Sequence, residues 1–510
     1  MKKRMLSLCL IVSLVGMLFS GCSSASGSSD SGSEKHLNMG IYWLGTDLDP
    51  ANEYNGWSLT RTGIAETLTK LNENIEVEAC LADKWEQVDD LTWKFHIREG
   101  VKFQNGNPLT AEAVKNCFQR TFDKNKRATT YFKLDKMIAE GQELTIVTSE
   151  PCGAILNNLV EPIFSVIDVS VDQATIANTP VGTGPYAVTE YVSELSAECV
   201  VNADYWDGKP GLETVSYQYI KDPDSRVLAL QSGEIDLAQT IPATSLALFE
   251  DEKEYQISEV TGLRGSTICM NLQRPALSKL EVRQAISYGI DKDKYAELIH
   301  AVPATGLFST ALPFGSDKLK SYAFDQAKAN KILQDAGYVD TNGDGIREIN
   351  GEKIHLQFYL DTSGGTGETL SQAIQADLKN IGIEVELIQS ENLSDIRKAG
   401  TFDMYYNGSN AAPTGDPQAY LSLTYKTAGS SNYSYYSSEK MDNLVSKLNS
   451  TFVIEDRQKL AQEASQILLD DAVNLFVSYT PSNIVGSTKV KNFKAHPADY
   501  YLMNKDITIE

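Results

Sequence analysis

Histidine is scarce in this chain. His36, His96, His300, His355 and His496 are the only five among 510 residues, and no two of them stand at a metal-ligand spacing. HExxH zinc chemistry is excluded on that ground, and the absence of GxSxG and of a P-loop removes the common hydrolase and nucleotide-binding arrangements. No enzyme is expected, and no cofactor. Cysteine is nearly as sparse: apart from Cys9 and Cys22 near the N-terminus there are Cys80, Cys117, Cys152, Cys199 and Cys269, odd in number, widely spaced and without a CxxC pair. That pattern predicts buried thiols rather than a disulfide framework or a zinc site, with one disulfide among the five left open. Positive charge is also in deficit, 45 Lys and Arg against 68 Asp and Glu, for a formal charge of −23. Such a surface repels nucleic acid and anionic membrane. The apolar run from Met5 to Phe19 falls short of the ~20 residues that cross a bilayer.

What is present begins with an address. Lys2-Lys3-Arg4, the apolar run and Ser20-Gly21-Cys22 follow one another as in a secretory leader. Small residues directly before a cysteine resemble the lipobox of bacterial lipoproteins, although Phe19 stands where that motif usually has Leu. The resemblance implies cleavage after Gly21 and a lipidated Cys22 at the N-terminus; an ordinary secretory signal cut elsewhere is the alternative. The Ser/Gly-rich stretch over 22–35 then reads as a flexible tether with a reach of roughly 20 Å.

The stretch Leu91–Val114 identifies most of the rest. Leu91, Trp93, Phe95 and Ile97 alternate with polar residues, as in a half-buried strand. Asn105-Gly106-Asn107-Pro108 is turn chemistry, and Thr110 stands at a helix N-cap position. Val114, Cys117, Phe118 and Phe122 then fall on one helical face. As wording, WKFHIREGVKFQNGNPLTAEAV resembles the signature of the large extracytoplasmic solute-binding proteins of ABC importers, the peptide and nickel branch; Ala113 stands where the family usually carries Asp. The resemblance extends through VGTGPY (181–186), VVNADYWDGKP (200–210), LALQSGEIDLA (228–238) and the predicted helix pair SKLEVRQAISYGIDKDKYAELI (278–299). YNGWSLTRTGIAETL (54–68) is similar to the nickel-chelate branch in particular.

The fold this implies is α/β: a two-lobed, periplasmic-binding-protein-like fold with an extra outer domain and mixed sheets flanked by helices. Strand, helix, strand order after Gly262 agrees with it. We expect lobe I over 36–71, 181–261 and 484–510, the outer domain over 72–180, and lobe II over 262–483. Thr60–Leu71 reads as helix-like, Ser266–Leu272 as a strand, and Asn474–Tyr479 and Asn483–Val485 as two further strands. A chain that leaves one lobe, builds another and returns makes hinges, and hinged lobes make a cleft.

Candidate ligand contacts follow from position within that family. Trp57 lies in the loop after Asp47-Leu48-Asp49-Pro50; a packed aromatic is its alternative. Arg127 resembles the cleft arginine of the nickel branch and could hold a carboxylate bidentately, a solvated helix charge being the alternative. From lobe II, Tyr405, Asn407, Ser409 and Asn410 are the polar candidates, while Asp416 is expected to cap a helix beginning at Pro417. Peptide binders of the family usually supply Asp near Asn410, and the residues of the nickel branch in this loop are absent too, so peptide and metal chelate both stay open. Asp340, Asn342 and Asp344, with Gly345, fit the start of a calcium loop, but Gly351 holds the position of the required Glu and a plain turn is favoured. The resemblance implies an extracytoplasmic, membrane-tethered monomer that binds a small-molecule ligand, a short peptide or nickel/metal chelate, and delivers it to ABC permease subunits. A peptide-sensing or chaperone lipoprotein on the same fold, and a secreted hydrolase, are the alternatives.

Overall fold

A computed structural model describes residues 35–361 and 365–510. The leader, the tether before Lys35 and Cys22 lie outside the described residues. Among the described residues no helix is long and apolar enough to cross a membrane, and Lys35–Glu510 form one compact unit.

Two long strands, Tyr255–Met270 and Asn474–Ser487, run antiparallel through the middle of an 11-stranded sheet. The second of them pairs at one end with Leu237–Gln239, which leads to His36–Ile41, Thr214–Tyr219, Ser196–Val201 and Tyr186–Val192. The other end of the first pairs with Met404–Asn410, which leads to His355–Leu360 and Glu384–Gln389. Each wing therefore has its own strands and its own apolar core, around Leu37, Val215 and Leu237 in lobe I and Ile286, Phe358 and Leu378 in lobe II. The central pair belongs to both, and a third core, in which Leu71, Ile75 and Val160 pack with Leu307, Leu421 and Leu468, lies across them. The helix Thr366–Lys379 connects the parallel strands His355–Leu360 and Glu384–Gln389, a βαβ unit.

Sequence patterning finds only part of this ribbon. The first strand begins at Tyr255 instead of Ser266, and the predicted pair of C-terminal strands is one continuous strand. Pro481, which cannot donate to a ladder, sits opposite Thr261 beside a register shift between Thr261 and Gly265, an interruption that tolerates it. Gly262 is required there, since a Cβ would stand 2.4 Å from the Thr480 carbonyl oxygen.

The outer layer is a four-stranded antiparallel sheet in the order Ala82–Gln87, Thr92–Ile97, Glu143–Thr148, Leu134–Glu140. Trp93, Phe95 and Ile97 are buried against Val114 and Phe118 of the helix Ala111–Lys124, whose Thr110 cap accepts from the Ala113 amide. The turn before it is pinned by Asn105 and Asn107, which both donate to Asp168 at 2.8 Å. All five described cysteines are free and buried.

Thr60–Leu71 differs from expectation. The helix is Gly56–Arg61, and Thr69–Leu71 is a strand. Gly63 takes φ +70°, and Gly182 and Gly184 pack so closely on this turn that a Cβ at either would lie 2.1–2.2 Å from the Ile64 or Gly63 carbonyl oxygen. Extended backbone beyond it delivers Glu66 to the side chains of Thr183, Tyr205 and Trp206. Tertiary hydrogen bonds thus override the helical period of IAETLTKL.

The 340–345 loop closes on itself. Asp340 accepts from the Gly343 and Gly345 amides, Asp344 pairs with Lys353 at 2.5 Å, and Thr341 and Asn342 donate to Glu348. Among the described residues no group of three or more His, Cys, Asp or Glu is arranged to hold a metal ion.

Candidate functional site

Between the wings lies a cavity of about 470 Å³. One wall comes from lobe I and the outer layer, through Tyr54, Trp57, Tyr131 and Glu161. The other comes from lobe II, through the strand Met404–Asn410 and the residues after it, and Arg264 of the central ribbon stands between them. The two walls touch at the rim: Asn157 Nδ2 donates to the Thr414 carbonyl at 2.8 Å, and the Gly153 amide to the Asn449 carbonyl at 2.9 Å.

Side chains alternate along a strand, so Tyr405, Asn407 and Ser409 share a face while Met404 and Tyr406 pack into the lobe II core on the other. Tyr405 is only 3% exposed, packed with Phe402 and Cys269; burial pushes its phenol pKa up. It is floor more than arm. The Ser409 hydroxyl lies 3.0 Å from that of Tyr420, and Asn410 Oδ1 accepts from the Ala412 amide at 3.2 Å. The Asn407 amide lines the cavity without a side-chain partner among the described residues.

The opposite wall is built around Glu161, which is fully buried. Its carboxylate accepts from Trp57 Nε1 at 3.0 Å, Arg127 Nη2 at 2.6 Å and the Tyr500 hydroxyl at 2.6 Å. Trp57 therefore both lines the cavity and packs, its ring edge-on to Tyr500. Arg127 is placed otherwise than the sequence led us to expect. It is absent from the lining and 18% exposed; its guanidinium donates to the Glu53 carbonyl and the Tyr131 hydroxyl and stacks 3.8 Å from the Tyr54 ring centre. The physical reason is Glu161, a buried carboxylate that demands a counter-charge.

Asp416 meets the Gln418 amide at the start of the helix Gln418–Thr424 as a cap would, with Pro417 at the N-cap position itself, and is also held bidentately by Arg457 at 2.7 and 2.9 Å. Arg264 reaches across the hinge to Asp499 at 3.0 Å and to the Gly408 carbonyl. Sequence reasoning missed Glu161, Arg264 and Arg397. Arg397 sits in the last turn of the seven-residue helix Leu393–Ala399, which buries no residue and so carries no amphipathic signal; Gly400, at φ +65°, was its only mark.

A two-winged α/β body with an aromatic and polar cavity between the wings is the build of a solute-binding protein. The chain belongs to the family described as "Bacterial extracellular solute-binding proteins, family 5 Middle", whose model matches residues 76–432. It is 28% identical over 504 residues to the nickel-binding protein NikA of Staphylococcus aureus, covering 97% of both chains. It is 26% identical over 539 residues to the oligopeptide-binding protein AppA of Bacillus subtilis, covering 98% of this chain and 97% of that one. The crystal structure of S. aureus NikA in complex with Ni(L-His)2 superposes with a TM-score of 0.80 at 25% identity, over 93% of this chain and all of the other.

Proposed function

We propose that this chain captures a short peptide or a nickel/metal chelate in the interlobe cavity and delivers it to the permease of an ABC importer, tethered to the outer face of the membrane through a lipidated Cys22. The division into lobe I (36–71, 181–261, 484–510), outer domain (72–180) and lobe II (262–483) belongs to the same reading. The observation that carries it is the cavity itself, with Trp57 on one wall and Asn407, Ser409 and Asn410 on the other. A ligand touching both walls favours the closed arrangement by its differential contacts, and closure is what a permease can read. Trp57, Tyr405, Asn407, Ser409 and Asn410 contact the ligand in this reading, and Arg127 positions the wall by holding Glu161.

Nickel-binding and oligopeptide-binding relatives of similar coverage support both ligand classes, and the wording of residues 54–68 together with the 28% against 26% identity tips the reading slightly to the chelate. The test is native mass spectrometry and metal analysis of the chain as purified, followed by calorimetry with Ni(II)–L-histidine and with short peptides. A co-purified small solute, or saturable binding of either probe, is expected. Absence of both, with a folded protein, overturns the proposal.

A further inference from the structure

A second cavity, of about 520 Å³, lies against the first. Its walls also come from both sides of the molecule, Trp85, Trp93 and Leu156 from the outer layer and Phe314 and Phe452 from the lobe II side. Each cavity has the volume of a small-molecule site, and Asp416 lines both. The segment 413–416 divides them: Pro413 and Thr414 line the first cavity and Gly415 the second. Arg457 braces this segment from lobe II, holding Asp416 at 2.7 and 2.9 Å while donating to the Leu448 and Thr451 carbonyls. The outer layer meets it from the other side. Ile75 packs so tightly there that a Cβ on Gly415 would lie 2.9 Å from its Cγ2, and Asn157 Nδ2 donates to the Thr414 carbonyl at 2.8 Å.

We propose that Asn157 and the 413–416 segment form a partition that limits the length of the captured solute, with Asn157 as its specificity-determining residue. This rests on the solute-capture reading and deepens it. A cavity of 470 Å³ is roughly 10 Å across if compact, and an extended chain advances ~3.3–3.6 Å per residue, so about three residues fit end to end. A longer chain gains room only by entering the second cavity. To do so it must break the Asn157 bond and leave the Thr414 carbonyl, on a residue only 1% exposed, without that donor. The cost falls on long solutes alone, so the cleft takes a small chelate or a short peptide and turns longer chains away.

Two probe pairs that differ in length test this by calorimetry on the full chain: Ni(II) with Gly-Gly-His against Ni(II) with the same tripeptide extended by six Gly/Ser residues, and tri-alanine against a nine-residue Ala/Ser peptide. Within whichever pair binds, the short member should be tighter by about tenfold or more in the parent protein. Asn157→Ala should bring that ratio to about threefold or less, and Asn157→Asp, equal in size but without the donor, should lower it as well. A residue that merely supports closure would weaken both members together and leave the ratio where it was. Should Asn157→Ala not fold, the parent ratio and the aspartate variant decide. A parent protein that binds long and short members alike, or folded variants that keep the parent's ratio, overturns the partition while leaving solute capture standing. A parent protein that binds none of the four probes removes capture of these ligand classes, and the selective role of the partition with it.

Discussion

The two walls of the cleft are made of similar residues in opposite states. On the lobe I side every charge is spoken for: Glu161 gathers Trp57, Arg127 and Tyr500 into one closed network. On the lobe II side the Asn407 amide lines the same cavity without a side-chain partner among the described residues, and Arg397 Nε, closed off from solvent, meets no acceptor. A satisfied wall supplies shape and a hungry wall supplies recognition, because only groups that lack a partner gain one when a solute arrives. Conservative changes on the two sides should therefore separate stability from affinity.

The largest effect is expected on the satisfied side. Glu161→Ala leaves the Arg127 guanidinium, the Trp57 indole and the Tyr500 hydroxyl without their acceptor, and should cost about 3–5 kcal/mol in denaturant unfolding. Arg127→Ala strands the buried carboxylate and should come close to it; if it lowers affinity with unchanged stability, the division between the walls fails. Gly262→Ala, which drives a Cβ onto the Thr480 carbonyl, should cost about 1–3 kcal/mol and slow or bias closure, read by small-angle scattering with and without ligand. Next comes Asn407→Ala on the hungry side, expected to weaken binding by about tenfold with an unchanged unfolding midpoint.

A further effect is one of pH, and it is shared by both sides. Burial pushes the thiols of Cys152, behind the outer wall, and Cys269, beneath Tyr405, up to about 11. An unfolded thiol ionises near ~8.5, so the unfolded chain loses these protons first. The stabilisation is intact below that point and is lost as pH rises toward 11. Unfolding free energy measured at pH 7.5, 9 and 10 should fall along the series, and less steeply in Cys269→Ala.

Legibility in the sequence followed the same division. Tyr405 to Asn410 could be placed only through the resemblance to the family's strand-to-loop region, and the Trp93–Val114 stretch because strand period, turn residues and cap agree with one another. Glu161 could not, since its role exists only when Trp57, Arg127 and Tyr500, up to 339 positions away, converge on it. Arg397 was hidden by a helix with no buried face, and the hinge by Gly262 and Pro481, residues that ordinarily argue against a strand. Thr60–Leu71 was misread because its helical period was real and was overruled by the partners of Glu66.

The central ribbon has a mechanical consequence. The chain passes between the wings of the sheet along Tyr255–Met270 and Asn474–Ser487, and these are hydrogen-bonded to each other across the junction. Such a join behaves as a leaf spring: it can flex and twist without unhooking, so opening is an elastic excursion from one registered position and needs no search for the way back. If the spring is soft, each 1.4 kcal/mol of extra contact in the shut state multiplies its population tenfold, and a guest of modest size is enough to keep the door closed.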